Sequence, residues 1–119
     1  MEIRILGCSG GVGTDLRTTT MMIDQDILID AGTGVGDLSM DEMLNIRHIF
    51  VTHSHLDHIA CIPLLVDTLF DQLETPITIH AQTVTLNALK DHIFNNVIWP
   101  DFSKLPNKEN AVMRYEPML

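Results

Sequence analysis

Val51 to Pro63 reads V-T-H-S-H-L-D-H-I-A-C-I-P. Three histidines and an aspartate, His53, His55, Asp57 and His58, fall within six residues, with an apolar run on either side. This is the pattern of a strand that delivers a donor-rich loop and hands over to a helix. In an extended loop, residues two apart point the same way, so His53 and His55 can offer imidazoles to one metal ion. Asp57 and His58 are adjacent and cannot both follow that alternation; a turn would aim them at a second point nearby. Imidazole with carboxylate suits zinc, with iron or manganese as alternatives. Two ions sharing a water or hydroxide would give a nucleophile at neutral pH and a Lewis acid for an anionic substrate. Packing explains a lone histidine; it does not explain three interleaved with a carboxylate at a strand–helix junction.

Working outward, Ile46 to Thr52 is the strand that carries the donors, and His48 on it is a strand-face histidine. After the motif, Ile59 to Leu73 predicts the longest helix. Its apolar positions 62, 65, 66, 69 and 73 form one stripe, and Pro63 sits in the first turns, where a missing N–H costs little. Upstream, Glu2 to Leu6 reads as a first strand. Thr18 to Ile23 and Ile27 to Ile29 form a hairpin turned by Asp24-Gln25-Asp26. The intervening G-C-S-G-G-V-G-T lacks the Lys-Ser/Thr ending of a phosphate loop and reads as a turn near the site. Asp30 ends the third strand within D-A-G-T-G-V-G-D-L. It is a candidate for orienting a metal-bound histidine, or alternatively a turn or cap residue. Asp37 to Asn45 is a short helix. Ile77 to Ile79 is a strand ending at His80, Thr83 caps a helix to about Phe94, and Ala111 to Tyr115 is a last strand. Trp99 and Phe102 read as core cover.

At 119 residues and 45% hydrophobic content, the chain can build one ordered domain with a core. Its net charge of −9 gives no basic patch to neutralise phosphates, which disfavours nucleic acid as a partner held by a broad electrostatic grip. A small anionic substrate stays open, because divalent ions reverse the local sign. Cys8, in the Gly-rich turn, and Cys61, in an apolar helix, are no disulfide framework. Both read as reduced, with Cys8 a candidate for the edge of a site. No run reads as a signal peptide or membrane span, so the expectation is a cytoplasmic protein with no membrane contact.

His-x-His-x-Asp-His at 53–58 resembles the metal motif of the metallo-β-lactamase fold. The resemblance assigns His53 and His55 to a first metal and Asp57 and His58 to a second, and it favours a supporting role for Asp30. It implies an α/β (α+β) fold, the N-terminal half of an αβ/βα sandwich: a mixed sheet with helices on one face. Within that fold T-H-S-H-L-D-H-I-A followed by P-L-L-V-D most resembles the class II 3′,5′-cyclic nucleotide phosphodiesterases. D-A-G-T-G, H-I-F-N and I-W-P-D-F add weaker support. Cys61 departs from that family's small glycine or serine. Ribonuclease Z is the alternative, although it usually has glycine or alanine where Leu56 stands.

The implied activity is metal-dependent phosphodiester hydrolysis of cAMP or cGMP by a metal-bridging hydroxide. Two zinc ions serve the complete site, and Asp57 is a ligand that can also orient the nucleophile or take its proton. The family completes its site with a later histidine, aspartate and histidine, for which this chain has no stand-in. The expectation is therefore that residues 1–119 are the N-terminal portion of one truncated domain. A half-sandwich leaves a sheet face open, so a homodimer through that face, or a non-catalytic metal-binding module, are the other readings.

Overall fold

The computed structural model describes residues 1–118. Six strands form one mixed sheet in chain order: β1 (Ile3–Gly7), β2 (Thr20–Ile23), β3 (Ile27–Ala31), β4 (His48–Phe50), β5 (Ile77–Gln82) and β6 (Met113–Met118). β1, β2 and β3 are antiparallel neighbours, whereas β3 to β6 run parallel. Parallel neighbours need crossovers, and the helices supply them. These are α1 (Met40–Leu44), α2 (Leu56–Ile59), α3 (Ile62–Leu69) and α4 (Thr83–His92), with short 3₁₀ turns at Thr33–Asp37 and Phe102–Lys104.

Register separates the two faces of the sheet. Met22, Leu28, Ile49 and Ile79 are aligned across β2 to β5 and are all buried. They pack with Ile59, Ile62, Leu65, Val66, Leu69, Leu86 and Leu89 of the helices in one core. The alternate residues point the other way. Ile5, Met21, Ile29, Phe50 and His80 make one row across five strands, and Ile3, Ile23, Ile27 and His48 make another. All nine are partly or largely exposed, with Ile3 and Ile5 each at 55%. The mixed sheet with helices on one face is as expected, and the second face is apolar and bare.

Several elements differ locally from the sequence reading. The helix expected over 59–73 is interrupted and shorter: Ile59 ends α2, α3 runs only from Ile62 to Leu69, and α4, with 10 residues, is the longest helix among the described residues. Pro63 has no N–H to donate to the carbonyl of Ile59, and Cys61 N–H turns away to the Ala31 carbonyl at 2.9 Å. The break docks the start of α3 onto the end of β3. The helix expected from Asp37 begins later, because Ser39 and Glu42 form a reciprocal capping box. Thr83 does not cap α4; Gln82 occupies the cap position without a side-chain bond. The strand over 46–52 shrinks to His48–Phe50. Phe102 is core as expected, while Trp99 is only partly buried.

Candidate metal centre

The donor motif leaves β4 at the carboxyl ends of the parallel strands, where open α/β sheets place their sites. The short helix α2 presents Asp57 and His58, and His53 and His55 precede it. The imidazoles cluster. The His53 ring lies 4.8 Å from that of His55 and 4.1 Å from that of His58, centroid to centroid. His58 Nε2 is 3.4 Å from Asp57 Oδ2. The fold thus gathers all four residues, with His53 between His55 and His58.

Asp30 organises this cluster. It is 2% exposed and sits at φ 59°, in the left-handed region, which turns its carboxylate under the loop. Oδ1 accepts the Thr52 N–H at 2.8 Å, and Oδ2 accepts the Thr52 hydroxyl at 2.8 Å. Oδ2 also lies 2.7 Å from His58 Nδ1. The carboxylate only accepts, so His58 carries a proton on Nδ1, and its neutral form presents its lone pair on Nε2. The same logic passes one residue further. The Thr52 hydroxyl spends its proton on Asp30, so at 3.0 Å it accepts from His53 Nδ1. His53 therefore also keeps Nε2 free. One buried carboxylate sets the tautomers of two histidines, one directly and one through Thr52.

Thr52 was not singled out from the sequence, although its place directly before the first histidine is the signal that could have found it. Thr18 and Thr33 are a second omission. Each backbone N–H donates to the other's hydroxyl at 2.8 Å, clamping the approach to β2 against the turn after β3. Gly32 lies inside that clamp. A Cβ there would collide with Thr18 Oγ1 and the Asp57 carbonyl oxygen.

The other candidates lie elsewhere. Cys8 borders a separate shallow hollow with Asp15, Arg17 and Asp37. Cys61 is half-buried at the α2–α3 break, and burial pushes its thiol pKa up. His48 and His80 are on the bare sheet face, their Nδ1 and Nε2 atoms 2.9 Å apart, and Phe50 stacks on His80 at 4.3 Å. Burial, then the neighbouring His48, lowers the His80 pKa, and Glu116 opposes the shift. A histidine whose folded pKa is depressed adds stability above its unfolded pKa, near 6.5, and that stability is lost as pH falls below it. We expect metal-free chain to lose stability from about pH 7 to about pH 5, and His80→Asn to flatten part of that slope. Parallel melting curves for the two proteins across that range would refute this.

Among the described residues, no three His, Cys, Asp or Glu side chains already close on one point as a cage. The donors nonetheless fit a divalent ion of borderline softness. Donors about 3.3 Å apart are what a tetrahedral zinc requires, given bond lengths of about 2.0–2.1 Å, and His58 Nε2 and Asp57 Oδ2 come close to that at 3.4 Å.

The family model for class-II cAMP phosphodiesterases matches residues 38–114, from the approach to α1 into β6. This chain belongs to that family. The class-II phosphodiesterase match takes in the donor loop and both helices after it. Ribonuclease Z of Haloarcula marismortui is 35% identical over 118 residues, covering 93% of this chain and 38% of that protein. The crystal structure of unliganded yeast PDE1 superposes with a TM-score of 0.76 at 19% identity, over 98% of this chain and 50% of that one. The metallo-beta-lactamase fold protein YhfI of Bacillus subtilis gives 0.66 at 19% identity, over 98% and 45%. The fold is therefore the metallo-β-lactamase fold, and this class-II phosphodiesterase chain spans half or less of the length of these relatives. The family is one of hydrolases, and among the described residues no helix is long and apolar enough to cross a membrane.

Proposed function

We propose that this chain supplies the donor loop of a metal-dependent phosphodiesterase acting on a 3′,5′-cyclic nucleotide. The observation that carries the reading is the Asp30–Thr52 network, which takes up Nδ1 of both His53 and His58 and leaves Nε2 as the donor of each neutral imidazole, with His58 Nε2 3.4 Å from Asp57 Oδ2. His53 and His55 would hold one ion, and Asp57 and His58 a second, with zinc the metal that best suits the set. Bound divalent ions supply Lewis acidity toward phosphoryl oxygens and lower the pKa of a water. The chain's own part is orientation and proton handling. Asp30 holds His58 directly and His53 through Thr52, and Asp57 Oδ orients the attacking water or takes its proton.

The membership in a cyclic-nucleotide phosphodiesterase family supports a small phosphodiester as substrate. The ribonuclease Z likeness keeps RNA as a second reading, but a net charge of −9 offers little to a polynucleotide backbone. A cytoplasmic setting fits two unpaired cysteines. We further propose that residues 1–119 are the N-terminal portion of a single domain. The bare apolar sheet face then takes a second layer, either the remainder of that domain or a second copy of this chain.

The test is zinc content after equilibration, with cyclic AMP and a 3′-extended tRNA offered to the metal-loaded chain. Binding should weaken about 10- to 100-fold in His58→Ala and comparably in His53→Ala. Zinc affinity untouched by both substitutions would refute the site. Cleavage of the tRNA but not of cyclic AMP would transfer the assignment to the second reading. Binding without turnover of either substrate would make the chain a metal-binding module.

A further inference from the structure

An apolar hollow of about 290 Å³ opens beside the donor loop, and nothing in the proposed chemistry uses it. One wall is Leu56, Ile59, Ala60, Pro63 and Leu64; the other is Ile93, Ile98 and Trp99. Leu56 stands between His55 and Asp57, so the hollow begins one residue from the donors. Its rim is costly to expose: Leu56 is 67% exposed, Leu64 54% and Ile98 60%.

The far wall is built and held. Asn95 Oδ1 accepts the N–H groups of Val97 and Ile98 at 2.9 and 3.0 Å. Asn96, at φ 64°, donates its N–H to the Trp99 carbonyl, and its own Oδ1 accepts from Asp101 N–H. Trp99 N–H returns to the Ile93 carbonyl at 2.9 Å. Two asparagines thus fix the segment that carries Ile98 and Trp99. Trp99 Nε1 is buried with no hydrogen-bond partner among the described residues, so the polar atom of the indole is turned away from solvent.

We propose that this hollow seats the nucleobase of the substrate, a flat and mostly apolar ring whose attached phosphodiester lies at the donor loop. The proposal rests on the phosphodiesterase reading. A pocket of this size lies at the small end of the range for ligand sites, which suits one ring system rather than several nucleotides. Apolar walls beside metal donors match a molecule with an apolar end and an anionic end. Stacking against Trp99, Pro63 and the aliphatic rim tolerates any base, because every base has a π-face. Discrimination between bases would come from outside this hollow.

Trp99 is the only tryptophan of the chain, so its fluorescence reports on this wall alone. The metal-free chain is titrated with adenosine, which has no phosphate, and with ribose 5-phosphate, which has no base. Adenosine should change Trp99 emission saturably and ribose 5-phosphate should not. Leu64→Glu and Ile98→Glu, both at exposed rim positions, should each weaken adenosine about tenfold or more while zinc binding stays the same. Equal response to ribose 5-phosphate, or adenosine affinity unchanged in both variants, overturns the proposal. A Trp99 emission shift on dilution without nucleoside also overturns it, because a second copy would then occupy the hollow. The two readings fail differently. If the phosphodiesterase reading alone is wrong, adenosine still perturbs Trp99 while metal-loaded chain leaves cyclic AMP intact. If the hollow is wrong, cyclic AMP is cleaved with a KM that Leu64→Glu does not alter.

Discussion

Asp30→Ala should cost about 3 kcal/mol or more of folding stability, measured by urea denaturation in the presence of a chelator. The carboxylate is 2% exposed and takes three bonds, from Thr52 N–H, the Thr52 hydroxyl and His58 Nδ1. Removing it leaves the Thr52 amide without an acceptor and adds left-handed strain on a residue that no longer suits it. Asp30→Asn is the informative partner. Asparagine tolerates φ 59° and its Oδ1 still accepts the Thr52 amide, so it should lose markedly less stability. Its amide nitrogen only donates, so it accepts from neither the Thr52 hydroxyl nor His58 Nδ1. Zinc affinity should therefore fall about 10- to 100-fold in the asparagine variant, read by competition with a chromophoric chelator. An asparagine variant that binds zinc like the parent would show that Asp30 only shapes the backbone.

Gly32→Ala should be nearly as damaging, although it adds one methyl group. The new Cβ would meet Thr18 Oγ1 and the carbonyl oxygen of Asp57, with Thr18 C at 2.8 Å. Two of those three atoms are backbone, so no side-chain rotation relieves the clash. Either the Thr18–Thr33 clamp opens or α2 moves outward with Asp57 and His58. Overpacking of this kind costs about 1–3 kcal/mol, and loss of the clamp brings the expectation to the upper end. Zinc binding should weaken together with stability, because both depend on where α2 sits. Gly36→Ala is the control: nothing lies within 4 Å of its Cβ position and its φ is not positive, so stability should change by about 0.5 kcal/mol or less. Equal melting temperatures for the two alanine variants would contradict the close packing of Gly32 under the donor loop.

The donor motif and most of the strands were legible because their signals are local. Alternation exposes β1, a run of β-forming residues exposes β2, the Asp24–Asp26 turn exposes the hairpin, and the density of donors from His53 to His58 exposes the site. The helix after the motif was legible in kind but not in extent. Its apolar stripe continues through Cys61, whereas the break depends on a bond from Cys61 to Ala31, thirty residues earlier. The hydrophobic stripe reports which face is buried and is silent about a backbone amide that leaves for another strand.

Residue types and spacing determined by themselves a succession of strands and helices carrying an imidazole–carboxylate loop, since burial period and donor chemistry are written into adjacent positions; the mixed sheet with one covered face followed only from the resemblance to the metallo-β-lactamase fold. They also made Asp30 a candidate partner of that loop. Only tertiary structure decided what Asp30 touches. Its bonds to Thr52 and His58 span 22 and 28 residues, so the tautomers of His53 and His58 follow from strand register rather than from their neighbours in sequence. The same holds for Gly32 beneath Asp57, for the His48–His80 pair across β4 and β5, and for the hollow between α2–α3 and Trp99. Each joins segments whose separation in sequence carries no periodic signal. Their meeting is fixed by how the parallel strands and their crossovers pack on one face of the sheet.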